Sequence, residues 1–343
     1  MRFSEDLIHW YKRHKRDLPW RNTTDPYVIW LSEIILQQTR VDQGIGYFHR
    51  FLERFPDVFQ LAEAHEDDVL KLWQGLGYYS RARNLHATAQ VIAQEYNGHF
   101  PGNYHDLLKL KGVGEYTAAA IASFAFREKQ PVVDGNVYRV LSRVFGIDTP
   151  IDSSAGKKMF RQLAADLIPD QNPDTFNQAI MEFGALHCVP KSPDCEACIF
   201  LRECYAKQHQ LTGELPKKAG KTKQRDRYFN YLVVMNRDHV YLHQRQGKDI
   251  WKGLHEFPLI ETETPVTDFE ALLPLAPFHS PMTLKSCSQT YKHILSHQRI
   301  FAVFWLVTIE SSEPYGDFKL IPIREINKYA VPKLIDNYIQ TWV

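Results

Sequence analysis

Three groups of residues have types and spacings that suit chemistry. The first is Cys188, Cys195, Cys198 and Cys204, spaced C-x6-C-x2-C-x5-C. Four thiolates this close in sequence can close around one metal centre. Structural zinc sites usually show two short Cys pairs, whereas this run has one C-x-x-C with wider arms, and four Cys also hold a cubane iron–sulfur cluster. The spacing alone leaves both open. It does not match the ferredoxin runs, so electron transfer is not its obvious purpose. The second group is two carboxyls. Glu33 lies in Trp30-Leu-Ser-Glu-Ile-Ile-Leu-Gln-Gln-Thr-Arg-Val41, with Leu and Ile around it and Gln37 one helical turn on. Partly buried there, it would hold a proton at neutral pH; solvated, it is an ordinary helix Glu. Asp134 follows Val132-Val133 and precedes Gly135-Asn136, where a helical pattern begins. That is an N-cap position, where backbone N–H groups fix a carboxylate and keep it ionised. A proton donor together with an anion is what cleavage of a glycosidic bond needs, one for the leaving group and one for the oxocarbenium ion. The third group is Leu110-Lys-Gly-Val-Gly114, between two helical patterns. Gly112 and Gly114 permit a tight hairpin with unusual φ values, and the helix N-terminus beyond it offers free N–H groups to a phosphate. The same residues also suit an ordinary turn between helices.

A framework must hold these groups. A length of 343 residues implies two domains. Apolar content of 44% and charged content of 24% are those of a soluble globular chain. The net charge of +1 excludes a strongly basic whole, so nucleic-acid affinity must come from local patches. No apolar run reaches the roughly 18 residues of a membrane helix. Met1–Trp10 reads as the start of an amphipathic helix rather than a secretory signal, so a cytosolic place and no membrane partner are expected. Residues 1–210 read as helical. Asp25-Pro26 opens a helix that runs to Thr39, and further patterns cover 46–55, 66–74, 82–96, 104–110, 116–126, 137–145, 156–167 and 175–184. Residues 211–227, with Lys217, Lys218, Lys221, Lys223, Arg225 and Arg227, read as an exposed basic linker. From 228 to 343 the period changes. Tyr231–Met235, Val240–Gln244 and Ile300–Thr308 look like strands, with helical patterns at 267–273 and 333–341, which makes an α+β domain.

Together these motifs resemble the endonuclease III superfamily of helix-hairpin-helix glycosylases, and within it the adenine DNA glycosylase (MutY) family. The resemblance implies that Cys188, Cys195, Cys198 and Cys204 hold a [4Fe–4S] cluster, in a loop that grips the DNA backbone with Lys191 and Arg202. Leu110–Gly114 matches the family's hairpin, with Lys111 where the family has Pro. The run around Glu33 implies that this residue protonates adenine. Val132-Val-Asp-Gly-Asn-Val137 implies that Asp134 faces the sugar, as stabiliser or nucleophile, with Asn136 as a polar helper. Bifunctional members carry a Lys where this chain has Tyr116 and form a Schiff base with it. Tyr116 therefore implies hydrolysis alone, with its hydroxyl near Asp134. Gln38 and Tyr78, in Gln37-Gln-Thr39 and Gly77-Tyr-Tyr-Ser-Arg81, match residues that fill the duplex when the base is flipped out. Arg16, Leu18, Trp20 and Arg21 match a segment beside the adenine pocket, and Arg81, Arg83 and Asn84 suit phosphates.

Residues 228–343 resemble the family's MutT-like (Nudix-like) domain. They lack the Glu-rich metal box of a nucleotide hydrolase, so the domain is expected to read and not to react. Trp251–Pro258 matches a family turn, with His255 in place of Trp. Leu295, Ser296 and His297 match the loop that recognises 8-oxoguanine, with Leu295 in place of an aromatic residue. The implied activity is removal of adenine opposite 8-oxoguanine or guanine, leaving an abasic site. The implied partner is double-stranded DNA, and the implied enzyme is a bacterial monomer. Three alternatives stand beside this reading. A pyrimidine glycosylase and lyase is disfavoured by Tyr116 and Glu33. A non-catalytic DNA-binding protein is disfavoured by the intact Glu33 and Asp134. An iron–sulfur electron carrier predicts no DNA affinity.

Overall fold

A computed structural model describes residues 2–220, 224–310 and 315–342. They divide into two compact units, Met1–Glu63 with Ala87–Gly220, and Ala64–His86 with Lys221–Val343. The first unit is helical. Helix Pro26–Leu36 starts as the sequence predicts: the Asp25 carboxylate accepts from the Tyr27 N–H at 2.8 Å, and Pro26 fills the first turn. It stops at Leu36, short of the predicted Thr39. The Thr39 N–H bonds back to the Leu36 carbonyl at 3.1 Å, and Gln38 takes φ +56°. That turn throws the Gln38 side chain outward. Helix Glu115–Phe126 is small and apolar on every side, and its buried Ala118–Ala122 stretch lets it pack closely on Pro26–Leu36. Helix Gly135–Phe145 begins at Asp134 and packs on Pro173–Leu186. Their approach is tight at Gly184, where an added Cβ would lie 2.7 Å from the Asn136 Cβ. The core beneath joins Phe3, Leu7, Trp10 and Tyr11 of helix Phe3–His14 to Val140, Leu141, Phe160, Ile180 and Phe183.

The second unit is a mixed sheet: β1 (Arg225–Asn236), β2 (His239–Gln244), β3 (His255–Glu256), β4 (Leu259–Thr262), β5 (Thr283–Cys287), β6 (Tyr291–Ile294), β7 (Gln298–Thr308) and β8 (Lys319–Pro322). β1 and β7 run parallel from Arg225↔Gln298 to Met235↔Thr308. The remaining pairs are antiparallel: β4 and β2 share the other edge of β1, β5 and β6 share the other edge of β7, and β3 and β8 pair with β2. Leu232, Val234, Tyr241, Trp305 and Val307 bury one face against the 3-10 helix Phe269–Leu275.

Two features differ from the sequence reading. Arg225 and Arg227 belong to β1, not to a linker. Arg227 is buried, because Asp249 (2.8 Å) and Glu261 (2.5 Å) neutralise its guanidinium. Lys221 and Lys223 of that stretch lie outside the described residues. Residues 64–86, which read as helical-domain sequence, pack with the sheet. Lys71 Nζ donates to the Tyr329 carbonyl at 3.1 Å, Gln244 Nε2 donates to Asp67 at 2.8 Å, and Arg83 donates to the Lys252 carbonyl. Such long-range partners leave no local periodicity.

Candidate active site

In the helical unit, Glu33, Tyr116, Asp134 and Asn136 line one cavity of about 540 Å3 with Arg16, Leu18, Trp20 and Arg21. Thus eight residues singled out in sequence, from four separate segments, meet at one place. Glu33 is 7% exposed, between Ser32 and Ile34 on the buried side of its helix. Burial raises its carboxyl pKa to about 7; Asp134 adds to the rise, while a hydrogen bond with the Tyr116 hydroxyl and the charge of Arg21 oppose it. Tyr116 is itself held far above its ordinary value by burial and by the two carboxyls, so it stays a neutral donor. Its partner is Glu33, where the sequence reading looks for Asp134.

Asp134 caps its helix. Oδ1 accepts from the N–H groups of Asn136 (2.9 Å) and Val137 (2.8 Å), and Oδ2 accepts from Asn136 Nδ2 at 2.7 Å. These donors and Arg139 favour the anion, yet burial outweighs them and the net shift is upward. An N-cap alone therefore does not set its charge. Between the two carboxyls, Asp134 receives three hydrogen bonds and Glu33 one, so a shared proton favours Glu33. Arg139 Nη2 fixes Asn136 Oδ1 (2.8 Å) and the Gly184 carbonyl (2.6 Å), and its Nε reaches the Cys188 carbonyl at 2.7 Å.

Glu182 is a wall residue that the sequence reading missed. It is fully buried, and its oxygens accept from Arg16 Nη2 (2.6 Å), Arg21 Nη2 (2.7 Å) and the Arg16 N–H (2.8 Å). Burial alone would raise its pKa, but Arg21 and Arg16 hold it at about 2. The signal was present: a carboxyl among Ile180, Met181 and Phe183 on an apolar helix has to meet a cation.

At the hairpin, Gly112 takes φ +76° and Gly114 stays extended at φ −89°, so only Gly112 uses glycine's left-handed freedom. Gly114 caps helix Glu115–Phe126, and an added Cβ there would meet no atom within 4 Å, which leaves the helix N-terminus open to a close approach.

The sheet unit has its own cavity, of about 310 Å3, lined by Tyr78, Tyr79, Arg83, Trp251, Ile294, Leu295, Ser296 and His297. Tyr78 sits at φ +47° and is 49% exposed, while Tyr79 is buried. Arg81 does not face outward as a phosphate contact would. Its Nη2 donates to the Leu76 and Gly77 carbonyls, both at 3.3 Å, and its guanidinium lies 5.0 Å from the Trp73 ring, so it braces the Tyr78 loop. Gln224 Nε2 holds the Leu295 carbonyl at 3.0 Å from behind.

These arrangements have close parallels. Residues 31–169 match the HhH-GPD superfamily of base excision DNA repair proteins, and residues 230–341 match the NUDIX domain. An adenine DNA glycosylase of Buchnera aphidicola subsp. Schizaphis graminum is 36% identical over 262 residues, 76% of each chain. The chain belongs to the adenine DNA glycosylase family. The human adenine DNA glycosylase is 42% identical over 60% of this chain, which covers 39% of that protein. A thermostable thymine-DNA glycosylase superposes with a TM-score of 0.56 at 31% identity, over 60% of this chain and 95% of that one. Membership makes the chain an enzyme of base-excision repair and makes DNA its partner. Among the described residues no helix is long and apolar enough to cross a membrane.

As in the family's pattern, four thiols stand together. Cys188, Cys195, Cys198 and Cys204 line one small pocket. Arg143 Nη1 and the Phe200 N–H point at Cys188 Sγ and Cys198 Sγ, each at 3.4 Å. Burial, together with the other three thiols, pushes Cys198 up to about 12, so without a cation beside it this thiol keeps its proton. Among the described residues no group of three or more His, Cys, Asp or Glu is placed to hold a metal ion. Four Cys thiols in one pocket are a donor set that both a [4Fe–4S] cluster and structural zinc use. His255, where the family has Trp, is 5% exposed and packs edge-on against Tyr329 at 4.9 Å, so it fills a core position.

Proposed function

We propose that this chain removes adenine lying opposite 8-oxoguanine or guanine by hydrolysis alone, leaving an abasic site. One observation carries the reading: a buried carboxyl titrating at about 7, Glu33, shares a cavity with the hydrogen-bonded carboxylate Asp134. Glu33 delivers its proton to the adenine ring and makes the base a better leaving group. Asp134, held by Asn136, stabilises the oxocarbenium ion or bonds to it transiently, and water completes the hydrolysis. Tyr116 has no amine, so no Schiff base forms and the strand stays uncut. Gly112 and Gly114 bring backbone N–H groups to a phosphate, and Gln38 and Tyr78 fill the space the flipped base leaves. Both wedge residues occupy exposed turns at positive φ, a geometry that costs of order 1 kcal/mol or more and tends to persist at working sites.

The helical unit acts as the catalytic domain and the sheet unit, whose first strand starts at Arg225, as the 8-oxoguanine reader, through Leu295, Ser296 and His297. Leu295 supplies apolar contact but no ring. The enzyme acts as a monomer on chromosomal DNA in a bacterial cytosol. Cys188, Cys195, Cys198 and Cys204 would hold a [4Fe–4S] cluster, which would tie down the loop bearing Lys191 and Arg202. The test is a labelled duplex with adenine opposite 8-oxoguanine, read with and without alkali, beside adenine–guanine and thymine-glycol duplexes. Breaks at adenine only after alkali are expected. Alkali-independent breaks at thymine glycol, or binding without breakage, would overturn the reading.

A further inference from the structure

What a pocket side chain offers a base depends on what its other end already holds. Gln178 lines the Glu33 cavity, one turn before Glu182 on helix Pro173–Leu186. Its amide has an acceptor oxygen and a donor nitrogen, which ask for opposite partners. The oxygen is taken: the Tyr11 hydroxyl donates to Gln178 Oε1 at 2.5 Å. Tyr11 is 4% exposed, on helix Phe3–His14, which packs along Pro173–Leu186. Flipping the amide would turn its N–H2 toward this enclosed hydroxyl and take away the oxygen to which it donates. Burial also raises the Tyr11 pKa above its ordinary value, so the hydroxyl remains a donor through the neutral range. Arg21 lies over the same ring, 5.7 Å from its centroid. Glu182, meanwhile, already receives hydrogen bonds from both arginines at its two oxygens.

We propose that Tyr11 is a positioning residue for base recognition: by holding Gln178 Oε1, it makes Gln178 present its amide N–H2 to the acceptor nitrogens of a purine in the cavity. The proposal rests on the adenine reading above and adds a contribution from the N-terminal helix, which lies outside the residues 31–169 that match the family. Tyr11 touches no reacting atom. Its effect passes through Gln178, so it belongs to recognition and not to proton transfer.

The test uses the full-length, cluster-containing protein and the variants Y11F, Q178A, Q178E and Y11F/Q178A. Single-turnover excision at sub-saturating protein is measured on an adenine–8-oxoguanine duplex, and binding is measured on a duplex that already carries an abasic site and so has no base. Y11F and Q178A are each expected to slow excision about tenfold, the effect of one hydrogen bond. Q178E, which presents acceptors only, is expected to lose at least as much. The double variant is expected to be no slower than Q178A, since both remove the same interaction. Abasic-duplex affinity and the pH dependence of the rate are expected to stay at wild-type values. Wild-type excision by Y11F or by Q178A, additive losses in the double variant, or a matching loss of abasic-duplex binding in Y11F would each overturn the proposal. Wild-type protein that leaves adenine in place would overturn the substrate reading instead.

Discussion

Around Glu33, the polar side chains hold one another about two buried carboxyls: Tyr116 on Glu33, Asn136 on Asp134, Arg16 and Arg21 on Glu182. Around Tyr78 and Ser296, in the sheet unit, the lining is open. Tyr78 is 49% exposed and Ile294 61%, and Ser296 Oγ meets its neighbour, His297 Nδ1, at 3.3 Å. Proton transfer needs a shifted proton affinity, and burial among fixed partners produces that shift. Reading a base needs donors and apolar faces still free to be used. One cavity is built to react and the other to receive.

Substitutions can break this contrast, and the largest effects belong to the buried side. Glu33→Gln or Asp134→Asn is expected to lower single-turnover excision by more than about a thousandfold while DNA binding stays near wild type. Turnover retained in both would remove the chemical role of the cavity. The same Glu33→Gln change is expected to stabilise the fold in alkali. The Glu33 pKa is raised from 4.5 to about 7, so the folded state keeps a proton that the unfolded chain loses. Stability then falls as pH rises from about 4.5 to about 7, by about 3 kcal/mol in all. Melting at pH 8 should favour the variant and melting at pH 4 should not; equal melts at both would mean Glu33 is solvated.

Glu182→Gln takes the anion from Arg21, whose side chain is 11% exposed, and from the partly exposed Arg16, and a loss of about 3 kcal/mol in urea unfolding is expected. A loss below 1 kcal/mol would show that water reaches the pair. On the open side, Ser296→Ala with His297→Ala is expected to lower the preference for adenine opposite 8-oxoguanine over guanine by about tenfold, with the rate opposite guanine unchanged. An unchanged preference would move lesion reading elsewhere.

The contrast also explains what the sequence made legible. The long amphipathic helices, the Asp25 and Asp134 caps and the Gly112 hairpin leave local signals, and each falls where the residues place it. Glu33, Asp134 and Tyr116 are far apart in the chain but sit in motifs dense enough to identify. Arg139 was invisible because it acts through carbonyls in another segment, and the apolar run around Glu182 signals a cation partner without saying which. Strands β3, β4, β6 and β8 were invisible because segments of two to four residues carry no period. The inward turn of Arg81 and the burial of Arg227 show the same limit, since a cation in sequence does not reveal whether water or a carbonyl will face it.

The central claim is that burial makes Glu33 the acid, and the pH dependence of single-turnover adenine excision tests it most directly. The rate is expected to be level below about pH 7 and to fall up to tenfold per unit above it, with the break absent from the residual rate of Glu33→Gln. A wild-type rate that rises through pH 7, or a break that persists in the variant, would contradict it.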